Sequence, residues 1–441
     1  MKSNTSDGAP KPLVRPVDAV GLIVGIVIGA GIFRTPSIVA GNAASEAAVY
    51  LAWALGGVVS LLGALVYAEL ATTYPHSGGD YYYLTRAFGR RLAFLFGWAR
   101  MSVIQTGTIA TVSFIFGDYA SQILSLGQYS SAIYAALAIA VLTALNVMGV
   151  QQGTGTQNLL TAAQVLGMVF VISVAFLAVF PQPPAQTAPS GASSSFGLMM
   201  LFVLFTYGGW NEAAYVSGEL RDVQRNMAPV LILSILLIST LYVSINWAYL
   251  HALGLSGVAG SQQVAADLMQ RALGGTGANA ISILIAVAAL TTANASVFTG
   301  GRSSYALGCD FRQFAFLGKW SARTGTPVNG LLLQGAIALA LVVLGVFTQQ
   351  GFQTIVEYTA PVFWTFFLIT GVAFFVLRRT DGNRSRPFRV PLYPMPPVLF
   401  CLMCAYLLYS SLAYTGVGAL AGVAVLAVDA LMLLFVQPSR A

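Results

Sequence analysis

Long apolar runs, separated by short polar gaps, leave this chain few ways to fold. They lie near residues 17 to 41, 46 to 71, 91 to 117, 129 to 149, 157 to 180, 196 to 217, 228 to 252, 277 to 305, 328 to 348, 352 to 377, 393 to 413 and 416 to 436. The hydrocarbon core of a bilayer is roughly 30 Å thick and takes about 20 helical residues to cross, so each run has the length of one crossing. At 57% hydrophobic and 8% charged residues, the 441-residue chain is too apolar for a soluble globular protein. Strand-like alternation is absent, which argues against an outer-membrane barrel. The expectation is an all-α integral membrane protein with 12 transmembrane helices.

An even number of crossings puts both termini on one side, and the basic residues identify it. Lys2, Lys11 and Arg15 precede the first run, and Arg86, Arg90 and Arg91 follow the second. Arg221 and Arg225 follow the sixth run, and Arg302, Arg312, Lys319 and Arg323 end or follow the eighth. Arg378, Arg379, Arg384, Arg386 and Arg389 follow the tenth, and Arg440 lies in the tail; only Arg34, Arg100 and Arg271 fall elsewhere. The positive-inside rule makes the basic side cytoplasmic, in a cytoplasmic (inner) membrane. The net charge of +7 therefore reflects topology and implies no nucleic-acid partner. No small-residue cleavage site follows the first run, so no signal peptide is expected to be removed. Cys309, Cys401 and Cys404 are odd in number and read as packing residues, with no metal or cofactor expected.

Two runs carry an interruption. In the first, glycines punctuate Gly25-Ile26-Val27-Ile28-Gly29-Ala30-Gly31-Ile32-Phe33-Arg34-Thr35-Pro36; in the sixth, Phe205-Thr206-Tyr207-Gly208-Gly209-Trp210-Asn211 does the same. Unpaired backbone is tolerated at membrane depth only where it faces a cavity or protein. Breaks five runs apart suggest two halves of opposite topology whose broken helices meet near the midplane. On that division, residues 1 to 16 form a cytoplasmic tail, 17 to 180 the first repeat, 196 to 377 the second, and 393 to 436 two added helices. The uncharged, Pro/Ser-rich stretch 181 to 195 reads as an external linker. Val264 to Leu273 is amphipathic and suits either a cap over the outer face or a plain surface helix.

A broken helix offers free carbonyls where its first half ends and free amides where its second begins. Amides near Ala30, Gly31 and Ile32 suit a carboxylate, and carbonyls near Val27, Ile28 and Phe205 suit an ammonium. An α-amino acid can thus be held without a charged side chain. The spacing of Gly21, Gly25 and Gly29 by four also fits close helix packing. Small residues at Gly29, Ala30, Gly208 and Gly209 leave the size of the pocket open. Intramembrane charges are functional candidates because each is costly in lipid. Glu212 is the sharpest, suited to favour a cationic substrate or to pair with Arg34 or Arg100, and Glu69 is placed to pair with loop arginines at an inner gate.

These strings resemble the amino acid-polyamine-organocation superfamily, specifically its L-type amino acid transporter branch. The resemblance rests on Gly29-Ala30-Gly31-Ile32-Phe33 and Tyr207-Gly208-Gly209-Trp210-Asn211, with Tyr67-Ala68-Glu69-Leu70, Ser77-Gly78-Gly79-Asp80-Tyr81 and Arg386-Pro387-Phe388-Arg389 in support. It implies a leucine-transporter-like fold of five-plus-five inverted repeats, with helices 1 and 6 broken, and alternating access to a central amino acid site. It further implies that Phe205 gates the substrate and that Gly208, Trp210 and Asn294 lie at or near the pocket. The family motif matched by Thr161-Ala162-Ala163-Gln164 commonly ends in lysine, so Gln164 puts a lysine proton switch in doubt. Thr291 and Thr292 stand where sodium-coupled relatives of the fold place hydroxyl ligands; simple back-bonding to their own turn is the alternative. Residues 118 to 128 lack the cysteine through which mammalian members join an accessory glycoprotein, so no disulfide-linked subunit is expected. The expected function is exchange of neutral L-amino acids across the lipid bilayer, with a proton- or sodium-coupled symporter as the alternative. A channel lacks a filter motif and a membrane-embedded enzyme lacks a nucleophile or metal cluster.

Overall fold

The computed structural model describes residues 15–76, 78–149, 154–178, 180, 195–218, 220–413 and 417–432. The stretch 181 to 194 and most of the amino-terminal tail lie outside the described residues. The first apolar run forms α1 (Pro16–Val27) and α2 (Thr35–Gly41), separated by a 3-10 turn over Ala30–Phe33. Next come α3 (Glu46–Thr73) and a connecting helix, α4 (Gly79–Phe88). The third run forms α5 (Arg90–Ala99) and α6 (Gln105–Ile123), continuous through a π-helical stretch at Arg100–Ile104. Then follow α7 (Ser130–Val147) and α8 (Thr154–Leu177). The sixth run forms α9 (Phe196–Tyr207) and the short α10 (Ala213–Val216) around a 3-10 turn at Trp210–Glu212.

The remaining helices are α11 (Val223–Gly260), α12 (Val264–Asp310), α13 (Val328–Thr348), α14 (Gly351–Thr380), α15 (Met395–Ala413) and α16 (Val417–Met432). Gly254 interrupts α11 at a φ of 70° and Gly274 interrupts α12 at 72°, so each long helix bends where only glycine turns freely. No strand occurs among the described residues, and Ser321 and Thr326 form an isolated antiparallel bridge. Among the described residues, eight helices are long and apolar enough to cross a membrane. Large apolar side chains such as Leu166, Phe176 and Phe347 point outward, as a lipid-facing surface requires.

The two broken helices sit inside the bundle. α1 packs against α8 and α11, α2 against α9 and α11, and α12 against α6, α7 and α8. The first-run glycines divide their work. A Cβ on Gly25 would fall 2.5 Å from Thr161 Cγ2, so that glycine allows close packing of α1 on α8. Gly29 meets nothing nearer than 3.9 Å and belongs to the break.

Away from the amino terminus, the ends of the helices are tied together. Arg34 approaches Asp118 at 3.4 Å, Tyr119 donates to the Phe33 carbonyl at 3.0 Å, and Gln263 donates to the Asp118 carbonyl at 3.1 Å. The stretch from Val264 to Leu273 is the helical start of α12 and buries Val264, Ala265, Ala266, Leu268 and Met269 against this end. At the opposite end, buried Glu69 accepts from Arg378 Nε and Nη2 at 2.6 Å each, and from the Val390 amide at 2.7 Å. Arg386 Nε adds a 3.5 Å contact, so the connection between α14 and α15 is pinned to α3.

Candidate functional site

The first break starts where Ile28 leaves helical geometry, with φ −72° and ψ 63°, followed by extended Gly29. The amides of Ala30, Gly31 and Ile32 then stand at the head of a new turn, where helical geometry supplies no acceptor. The carbonyls left behind are met by neutral donors. Gln164 Nε2, on α8, donates to the Ile28 carbonyl, and the Tyr242 hydroxyl, on α11, donates to the Val27 carbonyl at 2.8 Å and to the Thr206 carbonyl at 3.2 Å.

The second break passes through Gly208 and then Gly209, whose φ of 111° favours glycine. Gly209 lies against the first break: a Cβ there would come within 3.0 Å of Ile26 Cγ2. Thr206 Oγ1 donates to Thr35 Oγ1 at 2.8 Å, tying α9 to α2. The two interruptions therefore meet through backbone and small side chains.

A cavity of about 510 Å³ opens beside them, within the range of small-molecule sites. Phe205, Gly208, Gly209, Glu212, Thr292 and Asn294 all line it, so the structure brings these sequence-derived candidates together. Its wall reaches Gly21 and Leu22 of α1 and Asp80 of α4, which places it on the amino-terminal side of the break. Val27, Ile28, Gly29, Ala30, Gly31 and Ile32 are not part of that wall; the side chains of Ile28, Ala30 and Ile32 are fully buried, and what the break offers is backbone.

Tyr207 and Trp210 stand behind the wall. The Tyr207 hydroxyl donates to the Trp53 carbonyl at 3.0 Å, and its ring lies 4.9 Å from that of Tyr242. Trp210 packs edge-on against Tyr67 at 5.2 Å and against Phe367 at 5.6 Å, and reaches the cavity through those two rings, which do line it. Asn294 accepts from Asn146 Nδ2 at 2.7 Å, and both face the cavity. Phe205 and Phe363 are 6.4 Å apart, centroid to centroid, and Phe363 rests on Phe367 at 4.3 Å. Thr291 and Thr292 bond back to the carbonyls of Val287 and Ala288, at 2.9 and 3.1 Å.

Of the two arginines open to Glu212, the fold selects Arg100. Its Nη2 lies 3.0 Å from each Glu212 oxygen, while Arg34 turns to Asp118. Sequence reasoning missed Asp80, a buried residue of the α3–α5 connection. Its Oδ1 accepts from Tyr67 at 2.5 Å and from Thr370 at 3.4 Å, and its Oδ2 from Tyr215 at 3.4 Å. Burial pushes its carboxyl up to about 6. Its signal in the sequence was a lone acid after two glycines, with no hint of three hydroxyl partners.

The family described as "Amino acid permease" matches residues 15–435. Among curated relatives, the b(0,+)-type amino acid transporter 1 of Mus musculus is 30% identical over 401 residues, covering 89% of this chain and 81% of that protein. The Homo sapiens protein of the same name is also 30% identical over 401 residues, covering 89% and 80%. The large neutral amino acids transporter small subunit 2 of Mus musculus is 30% identical over 408 residues, covering 90% and 75%.

Proposed function

This chain belongs to the amino acid permease family, and on that premise we propose that it exchanges neutral L-amino acids across the cytoplasmic membrane by alternating access. The matching family and relatives are transporters rather than enzymes, so the cavity is read as a passage site. The observation that carries the reading is the meeting of two broken helices beside a cavity, with Gly209 against Ile26. In this account the amides of Ala30, Gly31 and Ile32 hold the substrate carboxylate. The carbonyls of Ile28 and Phe205 face the ammonium, and Phe205 closes over the side chain.

Exchange is favoured over ion-coupled symport by the chemistry at the Ile28 and Val27 carbonyls. Gln164 and Tyr242 meet them with neutral donors, so the break is held without sodium and without a lysine that must shed a proton. The back-bonded hydroxyls of Thr291 and Thr292 are already directed within their own helix. We read the architecture as twelve spans in a leucine-transporter-like five-plus-five arrangement, with termini and basic loops cytoplasmic and no disulfide-linked subunit. The far-side tie through Arg34 and Asp118, with the cavity on the amino-terminal side, corresponds in this account to an inward-facing form.

A thermal-shift screen of the twenty amino acids on purified protein tests the substrate class, because a ligand raises Tm with its affinity. Neutral L-amino acids are expected to stabilise and their D-enantiomers are not. Stabilisation confined to acidic or basic amino acids would contradict the reading.

A further inference from the structure

We propose that Arg100 decides which side-chain charge the cavity accepts, because its guanidinium sits against Glu212 where a basic substrate side chain would otherwise go. The inference deepens the neutral amino acid reading and rests on it. Arg100 belongs to the π-helical stretch between α5 and α6, and Glu212 to the turn that follows the second break; both line the cavity. Nη2 of Arg100 lies 3.0 Å from each Glu212 oxygen, Nη1 donates to the Tyr215 hydroxyl at 3.2 Å, and the guanidinium carbon stands 4.6 Å above the Tyr215 ring. The Arg100 side chain is 10% exposed and that of Glu212 31%, so Glu212 is the partner the cavity sees.

The cost of unpaired charge turns this geometry into a filter. A basic substrate side chain that takes Glu212 displaces Arg100, leaving a guanidinium without that carboxylate in a cavity that Phe205, Phe363 and Phe367 also line. An acidic one must displace Glu212 in the same way. An uncharged side chain leaves the pair intact.

Asp80 is the other acid near Arg100, and hydroxyl groups engage both of its oxygens. Tyr67 and Thr370 donate to one of its oxygens and Tyr215 to the other. Removing Arg100 would leave the Glu212 carboxylate without its cation on a wall that also carries Asp80, a surface suited to lysine or arginine as substrate.

The test is competition against radiolabelled leucine uptake in proteoliposomes, with unlabelled lysine and unlabelled leucine as competitors. In the natural protein leucine is expected to compete and lysine is not. In Arg100→Met the potency of lysine relative to leucine is expected to rise by about tenfold or more, equivalent to roughly 1.4 kcal/mol. Glu212→Gln is expected to show no such rise, since it supplies no carboxylate and leaves Arg100 in place. Arg100→Gln is read by the same criterion if the methionine variant does not reach the membrane. An unchanged ratio in the Arg100 variants overturns the proposal, as does an equal rise in Glu212→Gln, which would mean loosened packing rather than charge. Lysine competing as well as leucine in the natural protein also overturns it. Absent leucine uptake by the natural protein would sink the neutral amino acid reading itself, a failure distinct from these.

Discussion

The side-chain amide of Gln164, on α8, donates a hydrogen bond to the carbonyl of Ile28, the residue at which α1 lets go. A backbone acceptor that the fold has taken out of its helix is thereby satisfied by a neutral group from a helix 136 residues further on. In Gln164→Ala that carbonyl loses its partner, and an unmet buried acceptor costs about 1–3 kcal/mol. The variant is expected to insert normally, melt at lower temperature and bind its amino acid more weakly; unchanged melting and affinity would remove Gln164 from the clamp.

Gly209 meets two restrictions at once, a φ of 111° and a Cβ position 3.0 Å from Ile26 Cγ2. Left-handed backbone costs a non-glycine residue about 1–2 kcal/mol before any clash is counted. Gly209→Ala is expected to lower Tm and to reduce amino acid uptake strongly. Gly41→Ala, at the end of α2 and outside the cavity wall, is the control, because nothing lies within 4 Å of its Cβ position. Equal effects of the two would show that the contact between the breaks has no special role.

A Cβ at Gly31 would already touch Thr206 Cγ2 at 3.6 Å, and valine adds two further carbons beyond it at the head of the turn. Gly31→Val is expected to reach the membrane folded and to lose ligand-induced stabilisation. Normal binding by this variant would take the carboxylate away from these amides.

Glu69 is buried and holds Arg378, Arg386 and the Val390 amide together. Breaking a buried pair from one side strands the other charge, at a cost of about 3–5 kcal/mol. Glu69→Ala is therefore expected to be among the least stable single variants in detergent, as measured by thermal unfolding. A small change in Tm would show that the α14–α15 connection is held by other contacts.

Asp80 gives a pH dependence whose sign follows from its surroundings. Burial holds its folded carboxyl up to about 6, above the ordinary aspartate value of 3.8. Between those values the folded protein keeps a proton that the unfolded chain has released, so its contribution to stability falls as pH rises through about 4 to 6. Asp80→Asn is expected to remove that part of the slope of Tm against pH. An unchanged slope would place the titration elsewhere.

Much of this architecture was legible in the chain because membrane burial writes itself as hydropathy. The run at 46 to 71 became α3 with ends within two residues, and the glycine clusters in the first and sixth runs became breaks. Features set by distant contacts were not legible. The π-helical stretch at Arg100 has no local signature, and the pairing of Glu212 with Arg100 spans 112 residues of sequence. Gly254 and Gly274 lie outside the apolar runs as read, yet they bend helices that continue past those runs. Tyr207 and Trp210 sit in the same string as Gly208, and only packing shows that their rings turn away from the cavity toward Trp53 and Tyr67.

Counterflow tests the account most directly: radiolabelled leucine uptake into proteoliposomes that are empty or preloaded with unlabelled leucine, each with and without sodium and pH gradients. The account expects rapid uptake only into preloaded vesicles, independent of either gradient. Strong uptake into empty vesicles driven by a sodium or proton gradient would contradict it.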